Sequence, residues 1–275
     1  MKIKFWGPRG SIPVPNRDMI KYGGNTTCVE VNCGEKTLII DAGTGIINLG
    51  NHLKKQNVRD INLLITHTHW DHIHGLPFFA PLYDAKTKVN IYGYGGSYKQ
   101  LEVILKKQMS YEYFPVRFMD LKSKIKFIDV SEKCYKDTDY KLEFIRNNHP
   151  AFTISVKIIK NKKSFVFITD NELMSKNPIT KRSEFVKFCK NADYLVHDAQ
   201  FKNSEYSKRL GWGHSTFEQA IDLAKDARVK NLGFFHHDPN RTDKELKVIE
   251  SYFKKLYKND FNVFAIQEMD QIRLR

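Results

Sequence analysis

The stretch Thr66-His-Thr-His-Trp-Asp-His-Ile-His-Gly75 places four histidines and one aspartate directly after the apolar run Ile61 to Ile65. One histidine on an apolar face is usually an ordinary core residue, so the spacing has to carry the argument. Residues two apart on extended backbone project to the same side, whereas on a helix they diverge. His67, His69 and Asp71 can therefore converge at a strand end, with His72 turned toward a neighbouring point. Imidazole and carboxylate suit zinc, and also iron or manganese, and the absence of cysteine from the stretch argues against a closed structural zinc site. His74 reads as a pocket or surface residue rather than a ligand.

A second cation needs further ligands, and other apolar runs do end in them. Leu142 to Asn148 leads into His149, Phe165 to Thr169 into Asp170, and Leu232 to Phe235 into His236-His237-Asp238. Each alone is explained by the preference of Asp and His for turns; their joint occurrence is not.

The elements that must position these residues follow from periodicity. Strands are expected at Ile3–Trp6, Thr27–Asn32, Thr37–Ile40, Ile61–Ile65 and Val89–Tyr92, with a short helix after Thr44 and another over Tyr98–Gln108. Strands resume at Lys126–Val130, Leu142–Ile145, Thr153–Ile159 and Phe165–Ile168. The last third alternates: helix Glu184–Cys189, strand Tyr194–Val196, helix Thr216–Ala227, strand Leu232–Phe235 and helix Asp243–Leu256. This is an α/β (α+β) pattern in two halves, and an αββα sandwich over a single domain, 1–275, accommodates it.

Composition bounds the rest. The 275 residues can bury a core without staples. The four cysteines, Cys28, Cys33, Cys134 and Cys189, form neither CxxC pairs nor a disulfide framework, no leader segment is recognisable at Met1, and no apolar run is long enough to cross a membrane, so a cytoplasmic protein with no membrane partner is expected. A net charge of +14 favours anionic partners. The lysines are scattered, however, and neither an RGG tract nor an RNP-like motif accompanies them.

With these residues in place, the chain resembles the metallo-β-lactamase superfamily of metallohydrolases over nearly its whole length. The resemblance rests on Asp41-Ala-Gly, the HxHxDH motif, His149, Asp170 and His236, in the family's order. The closer likeness is to ribonuclease Z and the cyclic-nucleotide phosphodiesterase-like branch, through Phe5-Trp-Gly-Pro-Arg-Gly-Ser, Gly23-Gly-Asn-Thr-Thr, Leu195-Val-His-Asp-Ala-Gln, Gly213-His-Ser-Thr and His-His-Asp-Pro. The resemblance implies the metallo-β-lactamase fold and two divalent cations, zinc first, with manganese or iron as alternatives. It assigns His67, His69 and His149 to one metal and Asp71, His72 and His236 to the other, with Asp170 bridging; His237 competes with His236 as the last ligand. It places Asp41 behind the histidine loop, as a carboxylate that orients ligands.

The chemistry implied is hydrolysis of a phosphodiester by hydroxide generated between two cations. Asp71 accepts the nucleophile's proton, and His214, oriented by Asp198, protonates the leaving oxygen. The bland reading of the Gly213-His-Ser-Thr run is a helix start, with Ser215 as the cap and Glu218 closing a capping box. Ribonuclease Z often carries a long tRNA-gripping arm between the third histidine and the bridging aspartate; the interval from His149 to Asp170 is only hairpin-sized. The expected substrate is therefore a small diester, a cyclic nucleotide in the first place. The alternatives are a ribonuclease Z-like endoribonuclease acting on RNA and a non-catalytic nucleic-acid-binding protein. Trp212 and the aromatic loop from Tyr111 to Phe118 are candidates for stacking a base, and Asn25 and Thr26 for lining the entrance. A homodimer is implied by the resemblance alone.

Overall fold

Alternation along one strand shows how the layers are made. In Lys163–Ile168, Phe165 and Phe167 enter one core while Val166 and Ile168 enter another, as a side-chain period of two requires when both faces of a sheet are covered. The computed structural model describes residues 1–34, 36–94, 98–130, 134–136 and 140–274. In chain order its strands are β1 Lys2–Gly7, β2 Cys28–Cys33, β3 Lys36–Ile40, β4 Asp60–Leu64, β5 Lys88–Tyr94, β6 Lys124–Val130, β7 Cys134–Lys136, β8 Lys141–Arg146, β9 Ile154–Lys160, β10 Lys163–Ile168, β11 Tyr194–Asp198, β12 Asn231–Phe235, β13 Asn262–Ala265 and β14 Gln271–Arg273. The helices are α1 Gly45–Lys55, α2 Trp70–Ile73, α3 Tyr98–Gln108, α4 Arg182–Cys189, α5 Asn203–Tyr206, α6 Phe217–Asp226 and α7 Asp243–Leu256.

Two seven-stranded sheets result, ordered β14-β1-β2-β3-β4-β5-β6 and β13-β12-β11-β10-β9-β8-β7. Each is antiparallel on one side and parallel on the other: β3 to β6 run parallel in the first, and β10 to β13 in the second. Between the sheets lie Phe5, Val31, Ile40, Leu64, Phe144, Val156, Phe167 and Phe235. Helices α1 and α3 cover the outer face of the first sheet through Ile46, Leu49 and Leu105, and α4, α6 and α7 cover the second through Phe185, Phe217, Ile221, Leu246 and Phe253. The αββα sandwich is thus the observed architecture. No helix among the described residues is long and apolar enough to cross a membrane.

Two local expectations are corrected. Thr216, not Ser215, caps α6: its hydroxyl accepts from the Gln219 N–H at 3.2 Å, and Gln219, not Glu218, closes the box. Ser215 is withdrawn from capping because its hydroxyl donates to the Asn171 carbonyl at 2.6 Å. The histidine stretch is extended only to His69, after which Trp70 to Ile73 close a single helical turn. Strands β7, β13 and β14, which the pattern did not reveal, are short sheet-edge elements of 3, 4 and 3 residues.

In the layer between the sheets Phe167 packs edge-on against Phe235 of its own sheet at 5.0 Å, and Phe235 in turn meets Phe5 of the facing sheet at 6.1 Å. Phe167→Ala should lower the unfolding free energy by about 3–5 kcal/mol in urea titration; a loss below about 1 kcal/mol would show that the two sheets are not cemented there.

Candidate metal centre

The C-terminal ends of parallel strands open at one edge, where α/β architectures gather ligands. β4 delivers the histidine stretch, β10 delivers Asp170, β11 ends at Asp198 and β12 delivers His236. Three residues just beyond strand ends, Asp41, Asp170 and His236, have φ of 63°, 49° and 57°. Left-handed backbone is uncommon for residues with a Cβ, though Asn, Asp and His tolerate it best. It turns each side chain out of the strand's alternation.

Two donor sets form. One ligand atom each from His67, His69, His149 and Asp170 lie within 4.8 Å of one another, and so do those of Asp71, His72, Asp170 and His236. Asp170 belongs to both. Its Oδ2 faces His67 Nε2 at 3.6 Å and His149 Nε2 at 3.9 Å, and its Oδ1 faces His72 Nε2 at 3.1 Å and His236 Nε2 at 3.4 Å. His236 Nε2 also lies 3.1 Å from Asp71 Oδ2. The doublet is resolved by its surroundings: His237 turns away, its Nε2 bonded to the Ile266 carbonyl at 2.8 Å and its ring edge-on to Tyr22.

Neighbouring groups fix the rings. Asp41 accepts from the Thr66 N–H at 2.7 Å and hydroxyl at 2.8 Å, and from His72 Nδ1 at 2.8 Å, so His72 turns Nε2 inward. The Gly213 carbonyl accepts from His149 Nδ1 at 3.0 Å with the same result. Gly213 itself sits at φ 86°, and a Cβ there would lie 2.1 Å from His149 Nδ1. A Cβ on Gly10 would lie 2.4 Å from the His236 ring, which gives the Pro-Arg-Gly-Ser run its steric meaning. The adjacent Ser11 N–H donates to Asp71 Oδ2 at 2.8 Å.

Charge follows from this packing. Burial pushes His67 well below the ordinary imidazole range and His149 down to about 4. Burial also opposes ionisation of Asp71 and Asp170, but the imidazoles of His72 and His236 outweigh it and hold both carboxyls well below their usual range. For His236 burial lowers the ring's pKa, yet Asp170, Asp71 and Asp198 reverse the effect and hold it at about 9. The donor set fits divalent cations: it combines imidazole and carboxylate, and the buried Nε2 atoms of His67 and His72 have no hydrogen-bond partner among the described residues.

Beside the second set, His214 stacks on His236 at 4.9 Å and 18°, its Nδ1 2.7 Å from Asp198 Oδ2. His214 lines a cleft of about 400 Å³ together with Ser11, Thr68, His69, Trp70, Asp71, Asp170 and His236. Other candidates lie elsewhere. Asn25 is engaged by Glu268 through its Nδ2 at 2.7 Å and the Thr26 N–H donates to Thr44, and neither residue is among those lining this cleft. Their Gly-Gly-Asn-Thr-Thr run supports the loop instead. Trp212 is 60% exposed with the Arg209 guanidinium 5.9 Å from its ring, so it is not a core residue.

One buried residue escaped the sequence reading. Glu172 accepts the Tyr206 hydroxyl at 2.8 Å and the N–H groups of Gly211 and Gly213 at 2.9 and 3.2 Å, tying down the loop that carries His214. Only its place two residues after Asp170 hinted at this.

An αββα sandwich with these two buried histidine–carboxylate sets at one strand edge defines a metal-dependent hydrolase of the metallo-β-lactamase fold. The chain belongs to the beta-lactamase superfamily, whose domain it matches over residues 36–237. The ribonuclease Z of Picrophilus torridus is 26% identical, with 98% of each chain covered. Among solved structures, the human short-form tRNase Z superposes with a TM-score of 0.67 at 20% identity over 100% of each chain, and the metallo-β-lactamase fold protein YhfI of Bacillus subtilis with 0.69 at 17% over 98% of each.

Two outcomes test this centre. Saturating Zn²⁺ should raise the melting temperature of chelator-treated protein by at least about 5 °C; no shift would remove the centre. Asp41→Asn should weaken Zn²⁺ binding by about 10–100-fold in competition with a chromophoric chelator, and wild-type affinity would show that its carboxylate orients nothing.

Proposed function

We propose that the chain is a metal-dependent endoribonuclease of the ribonuclease Z kind, hydrolysing a phosphodiester bond in RNA. The observation that carries the hydrolytic reading is one buried carboxylate, Asp170, shared by two histidine sets beside the His214–Asp198 pair. RNA is supported by the ribonuclease Z relatives, matched over nearly their whole length, and by the net charge of +14.

His67, His69, His149 and Asp170 would hold one cation, and Asp71, His72, His236 and Asp170 the other. Such ions supply Lewis acidity: they make water a stronger acid and neutralise phosphate oxygens. The protein's own groups do the rest. Asp71, ionised and facing the cleft, accepts a proton, while the Ser11 N–H holds its Oδ2 in place. Asp198 binds His214 through Nδ1, so Nε2 is the atom left to donate a proton to the leaving oxygen. Stacking on His236 keeps the His214 ring plane fixed beside the donor sets.

A second reading, the small cyclic nucleotide diester favoured by the sequence, retains one specific support. The interval between His149 and Asp170 is filled by the β9–β10 hairpin, with only Asn161 and Lys162 at its turn, which leaves no room for a tRNA-gripping arm. Incubation of the zinc- or manganese-loaded chain with a 3′-extended tRNA precursor, with cyclic nucleotides and with bis-p-nitrophenyl phosphate separates the two. RNA cleavage with little cyclic-nucleotide turnover is the expected result; the reverse would transfer the assignment to the small diester, and no metal-dependent turnover of any diester would end both. His214→Ala should reduce kcat on RNA by about 10²–10⁴-fold and far less on bis-p-nitrophenyl phosphate, whose leaving group needs no proton. Equal losses on both would remove His214 from the acid role.

A further inference from the structure

Trp70 stands between two site residues, His69 and Asp71, yet its indole is 83% exposed. The cause is the single turn of α2: it buries Asp71, His72 and Ile73, leaving its first residue no inward direction. The exposed ring borders two adjoining hollows. One is the cleft over the donor sets; the other, of about 370 Å³, is lined by Thr68, Trp70, Ile73, Lys107, Gln108 and Tyr113 among others. Thr68 and Trp70 belong to both walls, so the two hollows lie side by side.

The second hollow has the make-up of a base-binding site. Its size falls within the roughly 300–1,000 Å³ of small-molecule pockets, and its two large aromatic side chains, Trp70 and Tyr113, lie open, Tyr113 at 72% exposure. Its floor is held by bonds to the same turn: the Gln108 amide donates to the Ile73 carbonyl at 2.9 Å, and His74 Nδ1 lies 2.6 Å from the Trp70 carbonyl. At the rim, Lys107 makes no ion pair among the described residues, whereas its neighbour Lys106 is neutralised by Glu102 at 2.7 Å. An aromatic wall and an unpaired cation at the rim match a nucleobase and its adjoining phosphate.

We propose that this hollow receives the base flanking the scissile phosphodiester of an RNA strand, with the base laid on Trp70 and the next phosphate drawn to Lys107. This rests on the RNA reading of the neighbouring site. Stacking on an aromatic face is tolerant of base identity, so the subsite would fix the position of the strand more than its sequence.

The test uses the zinc-loaded chain and a short single-stranded phosphorothioate RNA that resists cleavage. In a Trp212→Phe background Trp70 is the exposed tryptophan, since Trp6 is buried. Saturable quenching of its fluorescence by the RNA is expected. Trp70→Ala should weaken RNA binding, and raise KM on cleavable RNA, by about 10–100-fold, with the loss in KM rather than kcat and most of it recovered in Trp70→Phe. Lys107→Ala should flatten the salt dependence of binding. No quenching, or an alanine variant binding within twofold of the parent, overturns the proposal, as does sedimentation showing that Trp70→Ala merely splits a dimer while RNA affinity is kept. Persistent Trp70-dependent binding without any hydrolysis would sink the catalytic reading and leave the subsite standing. Hydrolysis of RNA indifferent to Trp70 would do the opposite.

Discussion

The arrangement depends on burying one carboxylate among imidazoles. Asp170 is 2% exposed, and each of its oxygens faces a different pair of ring nitrogens. An isolated carboxylate so placed would be neutralised by burial; here the opposing charge comes from His72 and His236, the same groups that complete the second donor set. Asp71 is held in the same way. Charge balance and ligand geometry are thus one requirement, and the strands that end at this edge must meet it together.

The fold satisfies that requirement through backbone more than through side-chain freedom. The parallel halves of both sheets point their C-terminal ends to one edge, and left-handed residues at Asp41, Asp170 and His236 redirect the chain just past the strand ends. Such conformations cost of order 1–3 kcal/mol each, a cost offset by the apolar layer between the sheets and by the hydrogen bonds that Asp41 and Glu172 receive. The glycine-containing loops contribute by what they lack: no Cβ at Gly10 or Gly213 obstructs His236 or His149.

Much of this was legible in the sequence because the signals were periodic. Alternating strands ending in His or Asp located the donor residues, and the 3.6-residue periodicity marked α3 and α7 at their observed limits. What escaped reading has physical reasons. His67, His69 and Asp71 look like members of one extended run, but the backbone turns helical at Trp70, a change that alternation cannot report. Ser215 and Thr216 are equally good caps on paper, and a tertiary bond from Ser215 to the Asn171 carbonyl decides between them. The roles of Asn25 and Glu172 depend on partners 243 and 34 to 41 residues away, which spacing in the chain cannot show.

The orientation of His72 by Asp41, and of His149 by the Gly213 carbonyl, has a bearing on which ion the centre prefers. Imidazoles clamped by the chain could not rearrange freely to suit each visitor, so competing divalent ions would be ranked by how well they tolerate an imposed coordination shape, against the background order of intrinsic affinity. Discrimination among metals would then reside in the clamps rather than in the donors, and loosening a clamp would broaden the range of ions accepted even while weakening the hold on each.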